Sequence, residues 1–185
     1  LFTYGIMKGD PDGNPRPTDE ITRAEAVALL VRTNANYNDI LKDYLYRPVF
    51  DDVGNHWAAR EISFAYDNGL VEGTSETTFE PERKVTIQEF AKMIVTLLGY
   101  KERAEQQGGF PHGYIMTASS LGLMDNLNKE TTKNALREDV ALMIANSLDV
   151  PLMKQSGFGA NTEYIVMDGK NGVAIETFRT ILEAK

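Results

Sequence analysis

The sequence predicts a mostly α-helical module of helix–loop–helix repeats, followed by a short β-hairpin and a final helix. The passage at 5–25 recurs in register at 69–89, and a weaker third copy occupies 122–139. Apolar residues around these passages keep helical spacing, whereas the stretch after Pro151 has the short alternation typical of strands. Because a repeat of about fifty residues buries too little apolar surface alone, we expect the copies to pack as one module.

The second copy contains the complete unit. Its first helix is predicted from Trp57 to Tyr66, where apolar residues recur at helical spacing. Turn-forming residues precede this helix, and Asp52 and Asn55 are its candidate N-caps. Gly69 follows it and can adopt the left-handed backbone conformation that commonly ends a helix.

The second helix of each unit is predicted to begin with a capping box. Thr86 is followed three residues later by Glu89, so each side chain can satisfy an open backbone N–H at the helix start. The first copy repeats the pattern at Thr22. In the third copy Leu136 stands where the Thr should be, and we expect Asn134 to cap that helix instead.

These features divide the chain into six predicted segments. They are repeat one (1–36, second half only), a linking helix (37–47), repeat two (48–100), a polar linker (101–109), repeat three (110–150, degenerate) and a C-terminal extension (151–185). Within the extension we expect two short strands around a Gly-rich turn at 162–177, then a helix at 177–185. Because the chain begins at a Leu in mid-repeat, we expect it to be a fragment or a processed form.

The composition argues against several classes of function. A net charge of −8 opposes nucleic-acid binding, which requires a basic face. No apolar run approaches the length of about 20 residues that spans a membrane, so membrane insertion is not expected. The chain has no cysteine and shows no nucleophile–base motif, phosphate-binding loop or metal-ligand spacing. We therefore expect no enzyme activity, no cofactor and no metal site.

Three passages together carry a family resemblance. They are ITRAE at 21–25, VFDDVGNHWA at 49–58 and the GLVEG loop at 69–73. In combination they resemble an S-layer homology (SLH) domain array over residues 1–150. The family implies three repeats packed as a helical module with pseudo-threefold symmetry. It also implies non-covalent anchoring of exported proteins to the bacterial cell wall through secondary wall polysaccharide, which often bears pyruvate ketals.

Carried over position by position, the resemblance implies a set of polysaccharide-binding residues. The motif Arg falls on Arg23 and Arg137, and the motif Asp and Trp fall on Asp52 and Trp57. A guanidinium fork suits a pyruvate or uronate carboxylate, and sugar rings stack on aromatic rings. Repeat two departs from the pattern, because Ile87 replaces its Arg.

Each of these residues also has a structural interpretation. Arg23 lies in a first helical turn, where the helix dipole disfavours a cation. It therefore needs an anionic partner, either a ligand or a carboxylate across the repeat boundary. The helical spacing of Trp57 favours core packing, and Asp52 suits an N-cap. On the ligand interpretation, Arg23→Ala lowers affinity without lowering the melting temperature.

The favoured function is a non-enzymatic cell-wall anchoring module, located extracellularly at the bacterial surface. Its partner would be secondary cell-wall polysaccharide attached to peptidoglycan, held in grooves between repeats. The alternative is a degenerate array that serves as a structural or protein-interaction scaffold without binding sugar, because repeat two lacks the Arg and repeat three lacks the Trp. Self-association through the truncated first repeat belongs to this alternative.

Overall fold

The fold is mostly helical with one small antiparallel sheet, which confirms the expected fold class. In this computed structural model the described residues are 1–9, 12–33 and 37–184. Their elements in chain order are α1 (Arg23–Val31), α2 (Tyr37–Asp43), α3 (Ala59–Asp67), α4 (Ile87–Leu97), α5 (Lys101–Gln106), α6 (His112–Ser120), α7 (Arg137–Ser147), β1 (Met153–Ser156), β2 (Glu163–Val166) and α8 (Phe178–Glu183), with a 3₁₀ turn at Gly159–Asn161.

A closed ring of backbone hydrogen bonds lies at the centre of the module. The Ile21 amide donates to the Ala135 carbonyl at 3.0 Å, the Ala135 amide to the Val85 carbonyl at 2.8 Å, and the Val85 amide to the Ile21 carbonyl at 3.1 Å. Each of these fully buried residues stands two positions before α1, α4 or α7. The ring therefore relates three helix starts by a pseudo-threefold arrangement.

Each of these helix starts is completed by a loop from another repeat. The first amides of an α-helix have no partner within the helix, and here the neighbouring loop supplies carbonyl acceptors. The Arg23 amide donates to the Arg83 carbonyl at 2.9 Å and the Ile87 amide to the Lys133 carbonyl at 3.0 Å. The Arg137 amide donates to the Asp19 carbonyl at 2.9 Å. Each helix start therefore takes a hydrogen-bond acceptor from another repeat, which joins the three starts to one another.

Helix α4 occupies the middle of the core. It packs against α1, α5, α6 and α7. Its inward face is fully buried and includes Ile87, Phe90 and Ile94. The apolar Ile87 that replaces the motif Arg is thus part of this buried face.

The capping boxes predicted for α1 and α4 are present. At α1 the Thr22 hydroxyl accepts from the Glu25 amide at 3.2 Å, while the Glu25 carboxylate accepts from the Thr22 amide at 2.9 Å. At α4 the Thr86 amide donates to the Glu89 carboxylate at 2.9 Å, and the Glu89 amide donates to the Thr86 hydroxyl at 3.3 Å. Both boxes leave the helix starts satisfied as their sequence pattern predicts.

The cap predicted for α7 is wrong. Asn134 donates its side-chain amide to the Glu20 carboxylate at 3.1 Å, so it reaches across to repeat one instead of capping α7. The N-cap residue is Leu136, which has no side-chain acceptor. Only half of a box remains, since Asp139 accepts from the Leu136 amide at 2.8 Å.

The caps predicted for α3 are also wrong. The chain runs through turns up to residue 58, and the N-cap position falls on Ala58. Neither Asp52 nor Asn55 caps the helix. Instead the Nδ1 atom of His56 accepts from the Ala58 amide at 3.1 Å.

Both predicted connections differ from the structure. The linking helix is shorter than 37–47, because α2 ends at Asp43, and residues 34–36 at the end of repeat one lie outside the described residues. The polar linker at 101–109 contains α5, whose Ala104 is fully buried.

The C-terminal extension contains a hairpin, and one of its two strands, β2, is the first of the predicted strands. Strand β2 pairs with β1, which precedes it, and Met153 lies opposite Val166. The predicted second strand is reduced to one bridge between Asp168 and Ile175. The extension docks on the core because the Met153 amide donates to the Leu98 carbonyl at 2.9 Å and Phe178 is buried.

Two candidate ligand grooves between the repeats

Two grooves open at boundaries between the repeats. Groove A is a cavity of about 410 Å³ formed by the loop at 69–74, helix α4 and Phe110, and Arg23 lines it. Groove B consists of two adjoining cavities of about 520 and 320 Å³. Trp57 and Arg137 line both of them. The structure thus brings three of the four predicted site residues to grooves.

Arg23 is buried and holds repeat two against repeat one. Its Nε–H donates to the Phe79 carbonyl at 2.9 Å and its Nη2 to the Glu72 carbonyl at 3.1 Å. The guanidinium lies 4.4 Å from the centroid of the Phe79 ring, and Nη1 stands 3.8 Å from the Glu89 carboxylate. Burial, followed by the charge of Arg83, lowers the pKa of Arg23. The cross-repeat partners are therefore mainly backbone carbonyls.

Arg137 makes the matching contacts in groove B. Its Nε–H donates to the Pro15 carbonyl and its Nη2 to the Lys8 carbonyl, both at 3.1 Å. Its Nη1 stands 3.8 Å from the Glu25 carboxylate. The Arg137 side chain is 16% exposed, against 6% for Arg23, so it is the more accessible of the two.

The third boundary has no corresponding cation. Ile87 occupies the first position of α4, as the two arginines do in α1 and α7. Across this boundary the Ile87 amide donates to the Lys133 carbonyl at 3.0 Å and the Gln88 amide to the Thr131 carbonyl at 2.8 Å. The start of α4 is therefore joined to the loop of repeat three by backbone hydrogen bonds, without the arginine contacts of the other two boundaries.

An exposed aromatic ring lines each groove. Trp57 is 57% exposed, so it does not pack in the core. In groove A the corresponding ring is Phe110, which is 45% exposed. The two rings occupy matching positions, because each stands two residues before the first helix of its repeat, α3 or α6.

Phe110 is the site residue that sequence reasoning missed. The signal was present, since Trp57 precedes Gly69 by twelve residues and Phe110 precedes Gly122 by the same number. Repeat three has no Trp at this position, so the resemblance to the Trp motif did not indicate Phe110. The aromatic character of the position persists although the residue type differs.

Asp52 contacts a loop and lines neither groove. One carboxylate oxygen accepts from the Phe79 amide at 2.9 Å and the other from the Glu80 amide at 2.7 Å. Glu80 has a left-handed φ of 56°, a conformation that costs energy for a residue with a side chain. Asp52 thus holds in place the loop that supplies Glu80 to groove A. Its direct contact with a ligand stays a prediction.

Cations in groove A are paired with carboxylates. Arg83 donates to Glu89 at 2.6 and 3.3 Å, and Lys92 donates to Glu72 at 2.7 Å. Burial opposes ionisation of Glu89, but the hydrogen bonds from Arg83 and Thr86 outweigh it and lower its pKa. The Lys92 hydrogen bond likewise lowers the pKa of Glu72. At neutral pH groove A therefore presents a network of full charges.

The described part of the chain contains neither a metal-binding cluster nor a membrane-spanning helix. No cluster of three or more His, Asp or Glu side chains is arranged to hold a metal ion there. Every helix there is also too short or too polar to span a bilayer.

Part of the sequence matches a known domain family. The family model for the S-layer homology domain matches residues 1–27 and 49–91. The chain is 29% identical over 156 residues to a cell surface protein of Thermoanaerobacter kivui, which aligns 83% of this chain with 20% of that protein.

Two other relatives have names that refer to the cell wall or to anchoring. A middle cell wall protein of Brevibacillus brevis is 30% identical over 166 residues, or 89% of this chain and 15% of that protein. A cellulosome-anchoring protein of Acetivibrio thermocellus is 28% identical over 160 residues, or 78% of this chain and 35% of that protein. The chain thus spans a small part of each relative. Its residues 1–27 and 49–91, which supply most of both grooves, match the family model of the S-layer homology domain.

Proposed function

We propose that this chain is a non-enzymatic cell-wall anchoring module that binds secondary cell-wall polysaccharide in groove A and groove B. The family match and the wall and anchoring proteins among its relatives support an anchoring role. An extracellular, wall-associated location accompanies that role. The specific ligand proposed is a polysaccharide with acidic substituents such as pyruvate ketals.

The observation that carries the proposal is the repeated pairing of an arginine with an exposed aromatic ring. Arg23 and Phe110 line groove A, while Arg137 and Trp57 line groove B. An exposed ring in a concave site marks a ligand surface, and a sugar can stack its apolar face there. The arginine supplies the charge that an acidic substituent requires.

The arginines are pre-organised for this role. In Arg23 and Arg137 the Nε and Nη2 atoms donate to backbone carbonyls. The remaining nitrogen, Nη1, lies 3.8 Å from a carboxylate, which is Glu89 for Arg23 and Glu25 for Arg137. A side chain already locked in place loses little conformational entropy when a ligand binds. A ligand carboxylate can accept from Nη1 without rearrangement of the repeats.

The direct test is sedimentation of the chain with purified bacterial cell wall, before and after extraction of its secondary polymer. We expect binding to intact wall and its loss from extracted wall. Trp57→Ala and Phe110→Ala should each weaken binding, and the double variant should abolish it. Phe158→Ala is the matched control, because that ring is 88% exposed and lines neither groove. Equal binding to extracted wall, or wild-type affinity in the double variant, would contradict the proposal.

The alternative of a protein-interaction scaffold has one structural observation in its favour. Several apolar side chains of the C-terminal extension are exposed, including Phe158, Ile175 at 61% and Tyr164 at 41%. Phe2 in repeat one is 55% exposed as well. Sedimentation equilibrium checks this alternative: a concentration-dependent rise in mass supports self-association, and a constant monomer mass opposes it.

A further inference from the structure

Groove A and groove B differ in charge at matching positions. Arg32 stands nine residues after the first residue of α1 and lines groove B, whereas Thr96 stands nine residues after the first residue of α4 and lines groove A. Lys8 in groove B likewise matches Glu72 in groove A, because each carbonyl accepts from the Nη2 of the motif arginine. Groove B is therefore the more basic at these positions.

The excess positive charge is concentrated in the smaller cavity of groove B. This cavity, of about 320 Å³, is lined by four cationic side chains and one carboxylate, Glu25. The cations are Lys8, Arg16, Arg32 and Arg137. In a chain of net charge −8, such a local excess is unfavourable unless an anion offsets it.

Arg32 lacks the partners that the other groove arginines have. Its Nε atom is buried and has no hydrogen-bond partner. Among the ion pairs of the described residues, none includes Arg32 or Lys8, whereas Arg16 pairs with Asp19 and Arg137 lies near Glu25. A buried donor without a partner is rare in folded proteins and calls for an explanation. The Nε atom itself is closed to a ligand, but the Arg32 side chain is partly exposed and lines the cavity, so a ligand carboxylate there would supply its counter-charge.

We infer that the smaller cavity of groove B is a second anion subsite, in which Arg32 and Lys8 bind a carboxylate of an acidic saccharide. This inference rests on the proposed function and extends it, because groove B would then take a ligand with two carboxylates. One lies at Arg137 and the other at Arg32. Trp57 lines both cavities of the groove, so a sugar ring stacked on it adjoins both carboxylate positions. Groove A, with Thr96 and Glu72 instead, takes a single carboxylate.

The test isolates groove B by using Phe110→Ala as the background, since this change disables groove A. Affinity for purified cell wall is measured for this background, then with Arg32→Gln, Arg32→Lys or Lys42→Gln added. Lys42 is an exposed cation of α2 that lines neither groove, so its variant loses the same charge elsewhere. We expect Arg32→Gln to lower affinity about tenfold, Arg32→Lys to lower it less, and Lys42→Gln to leave it unchanged.

A competition arm identifies the ligand class. Digalacturonic acid, with two carboxylates, should displace the Phe110→Ala protein from the wall at lower concentration than galacturonic acid, with one. Arg32→Gln should remove that difference. Thermal unfolding of each variant is recorded alongside, and Arg32→Gln should not lower the melting temperature, because the donor that it removes has no partner.

The outcomes separate this inference from the proposed function. If, in the Phe110→Ala background, Trp57→Ala abolishes wall binding but Arg32→Gln has no effect, groove B binds the polymer and the second subsite is wrong. Equal competition by the two acids would also overturn the second subsite. If the wild-type chain does not bind wall at all, the proposed function fails, and the second subsite fails with it.

Discussion

Arg23 shows how one side chain can be buried between two repeats and also line a candidate groove. Its guanidinium donates to carbonyls of residues 79 and 72, which are 56 and 49 positions away, so it joins repeat one to repeat two. At the same time its Nη1 atom faces the carboxylate of Glu89 in groove A. Arg137 has the same double role in groove B. Removing either arginine changes stability and the site together.

This geometry changes the outcome expected for Arg23→Ala. Because the substitution leaves two carbonyls without their charged donor, we expect the free energy of unfolding to fall by about 3 kcal/mol. Denaturation by urea measures this loss, and wall affinity should fall in the same variant. Arg137→Ala, whose side chain is more exposed, should cost less. An unchanged urea midpoint for Arg23→Ala would show that the carbonyl contacts contribute nothing.

Glu89 makes stability depend on pH in the acid range. Its pKa lies below the ordinary value of 4.5 in the folded protein, so the folded state favours the ionised form. Its stabilisation is complete above pH 4.5 and is lost as the pH falls through the lower folded-state pKa. We expect the melting temperature of Glu89→Gln to vary less than wild type below that pH. Glu76→Gln, an exposed change in the same repeat, should keep the wild-type profile.

At the scale of elements, the three helices around the central ring begin in different ways. Helices α1 and α4 have complete capping boxes, whereas α7 begins at Leu136 with half a box. The backbone is nonetheless the same, because Leu136 has φ −85° and ψ 161° while Thr86 has φ −83° and ψ 161°. The loop from repeat one positions the start of α7. The lack of an N-cap hydroxyl at Leu136 therefore does not change the backbone conformation there.

The cap difference predicts two opposite effects on stability. Thr86→Ala removes a hydroxyl acceptor from an N-cap and should cost about 1 kcal/mol. Leu136→Thr should raise the free energy of unfolding by part of that amount, because the N-cap backbone conformation and Asp139 are already in place at α7. Thermal unfolding of both variants measures the two changes. A loss of stability in Leu136→Thr would mean that packing of the leucine outweighs the cap.

At the scale of the molecule, the C-terminal extension is part of the helical core. Gly99, at φ +90°, lies so close to the Met153 carbonyl that a side chain there would clash with it. Arg179 donates to both carboxylate oxygens of Asp149, and its amide donates to the Leu148 carbonyl at 2.9 Å. The extension therefore joins the ends of α4 and α7, and its hairpin leaves apolar side chains exposed on the outside.

The integration of the extension predicts a cooperative loss of stability. Phe178→Ala removes a ring that is 5% exposed and should lower the free energy of unfolding by about 3 kcal/mol. Calorimetry should show a single unfolding transition in the wild-type protein and in Phe178→Ala. Phe158→Ala, a ring of the same extension that is 88% exposed, should change stability by less than about 0.5 kcal/mol. Two separate transitions would mean that the extension unfolds on its own.

The sequence by itself determined the features that depend on neighbours along the chain. The repeats, the helical class and the capping boxes at Thr22 and Thr86 follow from local spacing, which is why they could be predicted. The caps of α3 and α7 could not, because Asp52 and Asn134 bond to residues 27 or more positions away. The same pattern that assigned them as caps reports nothing about such distant partners.

Only the tertiary structure decided what the site residues contact. It buried Arg23 on carbonyls of another repeat and exposed Trp57 in groove B. It also placed Phe110 in the matching position of groove A and left the Nε atom of Arg32 without a hydrogen-bond partner. These outcomes depend on how the central ring sets one repeat against the next. Burial and charge at a repeat boundary are sums over two distant segments, so neither segment alone encodes them.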